Sequence, residues 1–279
     1  MFDLNSNMWG RHLLFATARI WTSLRGGDVA GTAFFVEGQL VDGGPIFAVL
    51  VTNRHVVEGG GVGEITVVGE KDGEPDLGSE VRMPYEESDW VLHPDESVDV
   101  AVLAVGRQFA RARELGTPGF LKVLTRDMWP DSNELSNLDV VEPVVFFGYP
   151  NGLYDTANGT PIARRGFTAT PVQFDFGGKP TFLIDGSVFE GSSGSPVFAV
   201  HEHGFRDGKT IQMGRTRLLF LGLISDTQLT RRAEGESVPL NLTERLDLGV
   251  VTKWSALDPA IDLLAARFGV DRTAGRGSA

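Results

Sequence analysis

Apolar residues along the chain come in many short runs separated by Gly, Pro and polar clusters, and seldom at sustained helical spacing. That pattern predicts short strands joined by turns. Residues 13–23 mix apolar and β-branched types, end at Gly26-Gly27, and predict a first strand. Residues 30–37 predict a second, with Gly31 permitting close backbone approach. Residues 45–52 are strongly apolar and predict a buried strand. It runs into Asn53-Arg54-His55-Val56-Val57, which suits a short helical turn before the glycines at 59–61. Further short strands are predicted over 64–69 and 89–93, followed by an apolar run opened by a carboxylate, Asp99-Val100-Ala101-Val102-Leu103-Ala104-Val105.

Composition changes over 106–137, where 108–115 predicts a helix and 129–133 a loop, so this stretch reads as a linker between two halves. Strand-like runs resume over 139–149, 166–176, 180–184, 197–200 and 217–225, with polar loops at 207–209 and 231–237. Apolar residues return at helical spacing near the end (Ile261, Leu264, Ala265, Phe268), which predicts a helix over 258–268, and 272–279 reads as a loose tail. Many short strands on either side of a linker predict an all-β chain built as two small barrels packed together.

Of the 279 residues 42% are hydrophobic and 22% charged, an ordinary globular balance with ample material for a core. The net charge of −12 argues against nucleic acid or an anionic membrane as a partner. Cysteine is absent, which excludes a disulfide frame and a thiol nucleophile. Asp3 precedes the apolar run 13–18 and Arg19 interrupts it, so the start is a poor signal peptide, and no stretch reaches the length of a membrane span. A cytoplasmic protein that needs no metal or cofactor is expected.

The candidate chemistry centres on Glu190-Gly191-Ser192-Ser193-Gly194-Ser195-Pro196-Val197-Phe198. Gly191 and Gly194 permit backbone angles that a Cβ forbids, and Pro196 fixes the exit, so successive N–H groups can be aimed at one point, as an oxyanion hole requires. Most Gly/Ser runs are plain turns. Acyl transfer by serine also needs a base and a group that orients the base. His55 lies where a buried strand gives way to a polar turn, and Asp99 heads an apolar run. Taken singly, each residue has a bland structural explanation; the ordered trio does not. Asp89 and Asp95 compete with Asp99 but sit in polar loop sequence, and Ser195 competes with Ser193 but lacks a following glycine.

At these residues the chain resembles the chymotrypsin-like serine peptidases, closest in character to the bacterial trypsin-like and Deg/HtrA-type enzymes. The resemblance rests on Val51-Thr52-Asn53-Arg54-His55-Val56-Val57, on Asp99-Val100-Ala101-Val102-Leu103 and on Gly191-Ser192-Ser193-Gly194-Ser195-Pro196. Gly31-Thr32-Ala33-Phe34-Phe35-Val36 resembles the strand ahead of the histidine, and Phe220-Leu221-Gly222-Leu223-Ile224-Ser225 the strand that pairs with substrate. The order His, Asp, Ser differs from that of subtilisins and α/β-hydrolases. The resemblance implies two six-stranded antiparallel barrels with a C-terminal helix in one peptidase domain over 1–279. Its parts are a first barrel over about 12–106, a linker over 107–137, a second barrel over about 138–257 and the helix over 258–268.

It further implies a serine endopeptidase acting on polypeptides, with Ser193 as nucleophile, His55 as base, Asp99 as its orienter, and the N–H groups of Gly191 and Ser193 as oxyanion hole. Ser187 falls at the base of the primary specificity pocket, Ser225 on the substrate-pairing strand, and Thr227 on a pocket wall. Neither Ser187 nor Thr227 is a carboxylate, which points to small or medium apolar residues before the scissile bond, while Asp185 and Asp226 lie close by and would favour Arg or Lys if either reaches the pocket. Ser192 stands where enzymes activated by clipping carry an aspartate, so no proteolytic activation is expected. No PDZ-like module fits after residue 265. A regulatory protein partner is left open. The alternative function is a peptide-binding module on the same fold with little or no turnover; an esterase is weaker, because G-S-S-G-S is not G-x-S-x-G.

Overall fold

The computed structural model describes residues 8–24, 27–39, 46–226, 230–231, 244–245 and 247–269. A short helix α1 (Trp9–Leu14) opens the chain, followed by β1 (Thr17–Leu24), β2 (Gly27–Gln39), β3 (Ile46–Thr52) and a four-residue helix α2 (Arg54–Val57). Next come β4 (Val62–Lys71), β5 (Glu74–Glu86), β6 (Val91–Leu92) and β7 (Ala101–Ala104). These strands make one antiparallel seven-stranded sheet in the order β5-β4-β1-β2-β3-β7-β6.

The stretch 106–137 carries helices α3 (Gly106–Glu114) and α4 (Ser132–Ser136), the second closed by a capping box between Asp131 and Glu134. Strands β8 (Pro143–Gly148), β9 (Ile162–Thr168), β10 (Thr181–Asp185) and β11 (Pro196–His201) follow. A hairpin of β12 (Gly204–Asp207) and β13 (Thr210–Met213) then leads to β14 (Arg217–Asp226). The two-residue strands β15 (Thr230–Arg231) and β16 (Glu244–Arg245) pair with each other, before β17 (Leu248–Lys253) and the final helix α5 (Leu257–Arg267). Six of these strands close a barrel in the order β10-β17-β14-β11-β8-β9.

Two six-stranded barrels were expected, and only the C-terminal one closes. The N-terminal half is a seven-stranded sheet whose edges are β5 and β6. Closing it would require β6 to form a second ladder, but β6 has two residues, bounded by the 3-10 turn Glu87–Asp89 and by Pro94. The rings of Tyr85 and Trp90 pack edge to face beside that edge instead.

Three local expectations also change. The first strand expected over 13–23 begins as α1, because Trp9 and Leu13 fall on one helical face that packs into the core, and β1 starts at the β-branched Thr17. The strand expected over 166–176 is β9, which ends at Thr168; Pro171, just beyond, could not donate to a ladder. The loop expected over 129–133 ends early, because Ser132 and Asn133 already belong to α4. Strands β5 and β17 were not among those expected, although β17 carries the apolar, β-branched run Leu248-Gly249-Val250-Val251-Thr252. In β5, Val81, Met83 and Tyr85 alternate inward between charged residues and Pro84, which an edge strand tolerates. The loop expected over 231–237, apart from Arg231, and the tail over 272–279 lie outside the described residues.

One core cluster joins the halves. Phe34 and Val51 from the sheet, Phe198 and Phe220 from the barrel, and Leu257, Ile261 and Leu264 from α5 are all buried in it. The Phe220 ring lies 5.4 Å from Phe34 and 5.6 Å from Phe198, centroid to centroid. Burying each such ring is worth about 1.5–3 kcal/mol, so this seam fixes how the two halves meet. No helix among the described residues is long and apolar enough to cross a membrane.

Candidate active site

The apolar β3 ends in Thr52, and the chain turns at once into α2, which buries Val56 and Val57 and leaves the His55 side chain half-exposed. Gly31 on β2 makes the approach of α2 possible: a Cβ there would sit 2.8 Å from a Val56 methyl. His55 Nδ1 lies 2.7 Å from Asp99 Oδ2, and the His55 backbone N–H donates to Asp99 Oδ1 at 3.1 Å. An ionised carboxylate only accepts hydrogen bonds, so Nδ1 carries the proton and the lone pair of neutral His55 is on Nε2.

Asp99 lies two residues ahead of β7, and the Asn53 side-chain amide donates to its backbone carbonyl at 2.8 Å. The rival carboxylates are engaged elsewhere. Asp89 pairs with Arg107 and accepts from the Glu86 N–H, and Asp95 accepts from the Ser97 N–H.

Ser193 sits in the turn between β10 and β11. Both flanking glycines have positive φ, +80° at Gly191 and +87° at Gly194. A Cβ on Gly194 would lie 1.9 Å from the Thr32 carbonyl oxygen, and one on Gly191 2.5 Å from that of Tyr149. Glycine is therefore demanded twice, by angle and by space. The turn is held at several points. Thr32 N–H donates to Ser193 O at 2.9 Å, Gly194 N–H to Ile224 O at 2.7 Å, and Ser195 N–H to Ser192 O at 2.9 Å. The Ser192 hydroxyl accepts from the Phe189 N–H at 3.4 Å, and the Arg164 guanidinium lies 4.8 Å from the Phe189 ring centroid.

His55, Asp99, Gly191, Ser193 and Ser225 line one cleft of about 760 Å³ between the sheet and the barrel. Ser195 is fully buried against Gly148 and does not line it. Ser225 is buried on β14, its hydroxyl 3.4 Å from Val250 O. Ser187 is half-buried in the loop after β10 and is not among the residues lining this cleft. Thr227 lies outside the described residues.

The cleft also takes in residues that the motifs do not single out: Asp28 and Ala30 at the start of β2, and Asn151 and Gly152. Asn151 N–H donates to Glu190 O at 2.5 Å. A peptide N–H points opposite to its C=O, so this bond turns the Gly191 N–H away from Asn151. Among the described residues, the N–H groups of Gly191 and Ser193 have no backbone acceptor. The only sequence signal for Asn151 is an Asn-Gly pair, common in ordinary turns. Burial pushes the neighbouring Tyr149 phenol up to about 12, so it stays neutral.

Residues 31–204, more than half of the chain, match the family model described as a trypsin-like peptidase domain. Two solved structures align with a TM-score of 0.50. One is the HtrA-type protease AlgW with tripeptide, 15% identical over 93% of this chain and 62% of that one, so the chain spans less than two thirds of AlgW. The other is the serine endoprotease from Yersinia pestis, 13% identical over 96% of this chain and 69% of that one. The Rv3671c protease from M. tuberculosis in its active form aligns at 0.48, with 18% identity over 96% and 87% of the two chains. At these identities the likeness is one of fold. No curated protein sequence matches the chain significantly.

Proposed function

The chain belongs to the trypsin-like peptidase family, and from that premise we propose that it is a serine endopeptidase working through an acyl-enzyme on Ser193. One observation carries the reading above all: Asp99 grips both the ring and the backbone N–H of His55, which leaves Nε2 as the proton acceptor in the cleft that Ser193 lines.

In this mechanism His55 Nε2 takes the Ser193 Oγ proton as Oγ attacks the carbonyl carbon of the scissile peptide bond. The Gly191 and Ser193 N–H groups receive the developing oxyanion. His55 then hands its proton to the leaving amine, so the C–N bond breaks and the acyl group stays on Ser193. A water molecule, deprotonated by the same Nε2, releases the carboxylic acid and restores the serine. Asp99 holds the tautomer and stabilises the transient imidazolium. The resemblance puts Ser187 and Thr227 at the specificity pocket; neither carries a charge, which favours small or medium apolar residues before the scissile bond, with Asp185 and Asp226 close by as the carboxylates a Lys or Arg there would have to reach.

The test is labelling with a fluorophosphonate, followed by turnover of a peptide ester and a peptide anilide. Wild type labels on Ser193 and cleaves both, and Ser193→Ala does neither while melting at the wild-type temperature. A peptide-binding module without turnover would bind the peptides but resist label. Loss of activity in Ser195→Ala with Ser193→Ala intact would overturn the assignment.

A further inference from the structure

We propose that Thr32 is the positioning residue of the oxyanion turn, its hydroxyl holding the turn and its supporting loop in the catalytic arrangement; this rests on the peptidase reading above.

Thr32 lies in the middle of β2, fully buried, and each of its polar atoms is engaged with part of the site. Its N–H donates to Ser193 O at 2.9 Å, and its carbonyl accepts from the Thr52 hydroxyl at 2.7 Å, just ahead of α2. The side chain does more. Oγ1 donates its one proton to Gly191 O at 2.9 Å and accepts the Tyr149 N–H at 3.0 Å. A hydroxyl has one proton and two lone pairs, so here it serves as a donor to the turn and an acceptor from the loop at once.

The consequence follows from peptide geometry. The Gly191 N–H that would meet the oxyanion belongs to the Glu190–Gly191 peptide, and Asn151 sets the direction of that plane through Glu190 O. Thr32 sets the next plane through Gly191 O. At φ +80° glycine has little intrinsic preference, so its two flanking planes are fixed only by what grips them. Asn151 can grip only if its own turn is in place, and that turn starts at Tyr149, whose N–H the same Thr32 hydroxyl holds. One buried oxygen therefore acts on Gly191 from both sides.

Space is reserved for it. A Cβ on Gly148 would lie 2.7 Å from Thr32 Oγ1, so glycine there leaves the hydroxyl room. Neighbouring Gly31, on the same strand, admits the helix that carries His55. The base and the oxyanion donors, which come from different halves of the molecule, are thereby referenced to adjacent residues of one strand.

The experiment compares Thr32→Val, which keeps the side-chain volume, with Thr32→Ser, which keeps the hydroxyl, and with Thr32→Ala, which cannot overfill the site. Rates are normalised to folded protein by circular dichroism and read on a peptide ester and on a peptide aldehyde, whose tetrahedral adduct places an oxyanion in the hole. Oxyanion contacts form in the transition state, so Thr32→Val and Thr32→Ala should lose about 10–100-fold in kcat with KM little changed. Aldehyde affinity should fall in step. Thr32→Ser should recover to within about threefold of wild type, since one intact oxyanion donor is worth far more than that. A merely structural threonine would lower Tm and leave kcat per folded molecule and aldehyde affinity untouched; that result overturns the proposal, as does a Thr32→Ser variant as slow as Thr32→Val. An inert, unlabelled wild type overturns the peptidase reading itself.

Discussion

Replacing Asp99 with Asn probes the hydrogen-bond logic at His55 with the least change in shape. The carboxylate accepts twice, from the His55 ring at 2.7 Å and from the His55 backbone N–H at 3.1 Å. An amide offers one oxygen and one NH2. If the oxygen keeps the backbone N–H, the NH2 faces Nδ1 and donates to it. Neutral His55 must then carry its proton on Nε2 and can no longer accept from Ser193. If the amide flips, the NH2 opposes the backbone N–H, a donor against a donor, which costs about 1–3 kcal/mol of unmet hydrogen bonding. Both arrangements also lose the negative charge that stabilises the imidazolium. A forced wrong tautomer in this arrangement costs about 10⁴-fold in kcat, roughly 5.5 kcal/mol of barrier. The assay is kcat for a peptide ester in wild type and Asp99→Asn, with Tm as the control for folding. Asp99 is about one-third exposed, so Tm should change little. A variant retaining a tenth or more of wild-type kcat would refute the role assigned to Asp99.

The remaining expectations concern the support of the site and its response to acid. Gly194→Ala puts a Cβ 1.9 Å from Thr32 O at φ +87°, which should cost at least about 2–3 kcal/mol from backbone strain and a broken Thr32–Ser193 contact. A melting curve matching wild type would contradict it. Asp89→Asn and Asp95→Asn should leave kcat within about twofold, because neither carboxylate reaches His55; a loss as deep as that of Asp99→Asn in either variant would move the orienter role to that residue. Burial holds the His12 imidazole below its ordinary value, opposed by its bond to Val123 O. Unfolded His12 therefore binds a proton that the folded protein resists, and stability falls as pH drops below about 6.5 toward the folded value. Tm of wild type should fall more steeply between pH 7.5 and 5.5 than that of His12→Gln, and equal slopes would remove His12 from the response.

The candidate site was legible in the sequence because each piece of it is local. Gly191 and Gly194 bracket Ser193 since the turn needs positive φ at both, and only glycine supplies that freely. His55 follows a buried strand in a one-turn helix, and the apolar run of β3 followed by polar residues states as much. The strands with uniform apolar runs, β3, β7, β11 and β14, were likewise readable, since both faces of each are covered. Strand β5 was not, because it is an edge whose outward residues are charged, and its signal is alternation broken by Pro84. The start of the chain misled because a single helical turn and a strand start look alike over six residues.

What the sequence by itself determined is the buried runs, the glycine-bracketed turn at Ser193 and the candidate side chains of the site, all consequences of backbone angle and side-chain type within a few neighbours. The tertiary structure decided everything that depends on which distant residues meet. It chose Asp99 over Asp89 and Asp95 as the partner of His55, because only Asp99 lies beside α2 once β3 and β7 pair. It left the N-terminal sheet open, since closure is a matter of the length of β6 and not of composition. It also gave Thr32 and Asn151 their places around Gly191, across sequence separations of 159 residues in one case. Hydrogen bonds between residues so far apart carry no local signature, because the residue types involved are the same ones that ordinary strands and turns use.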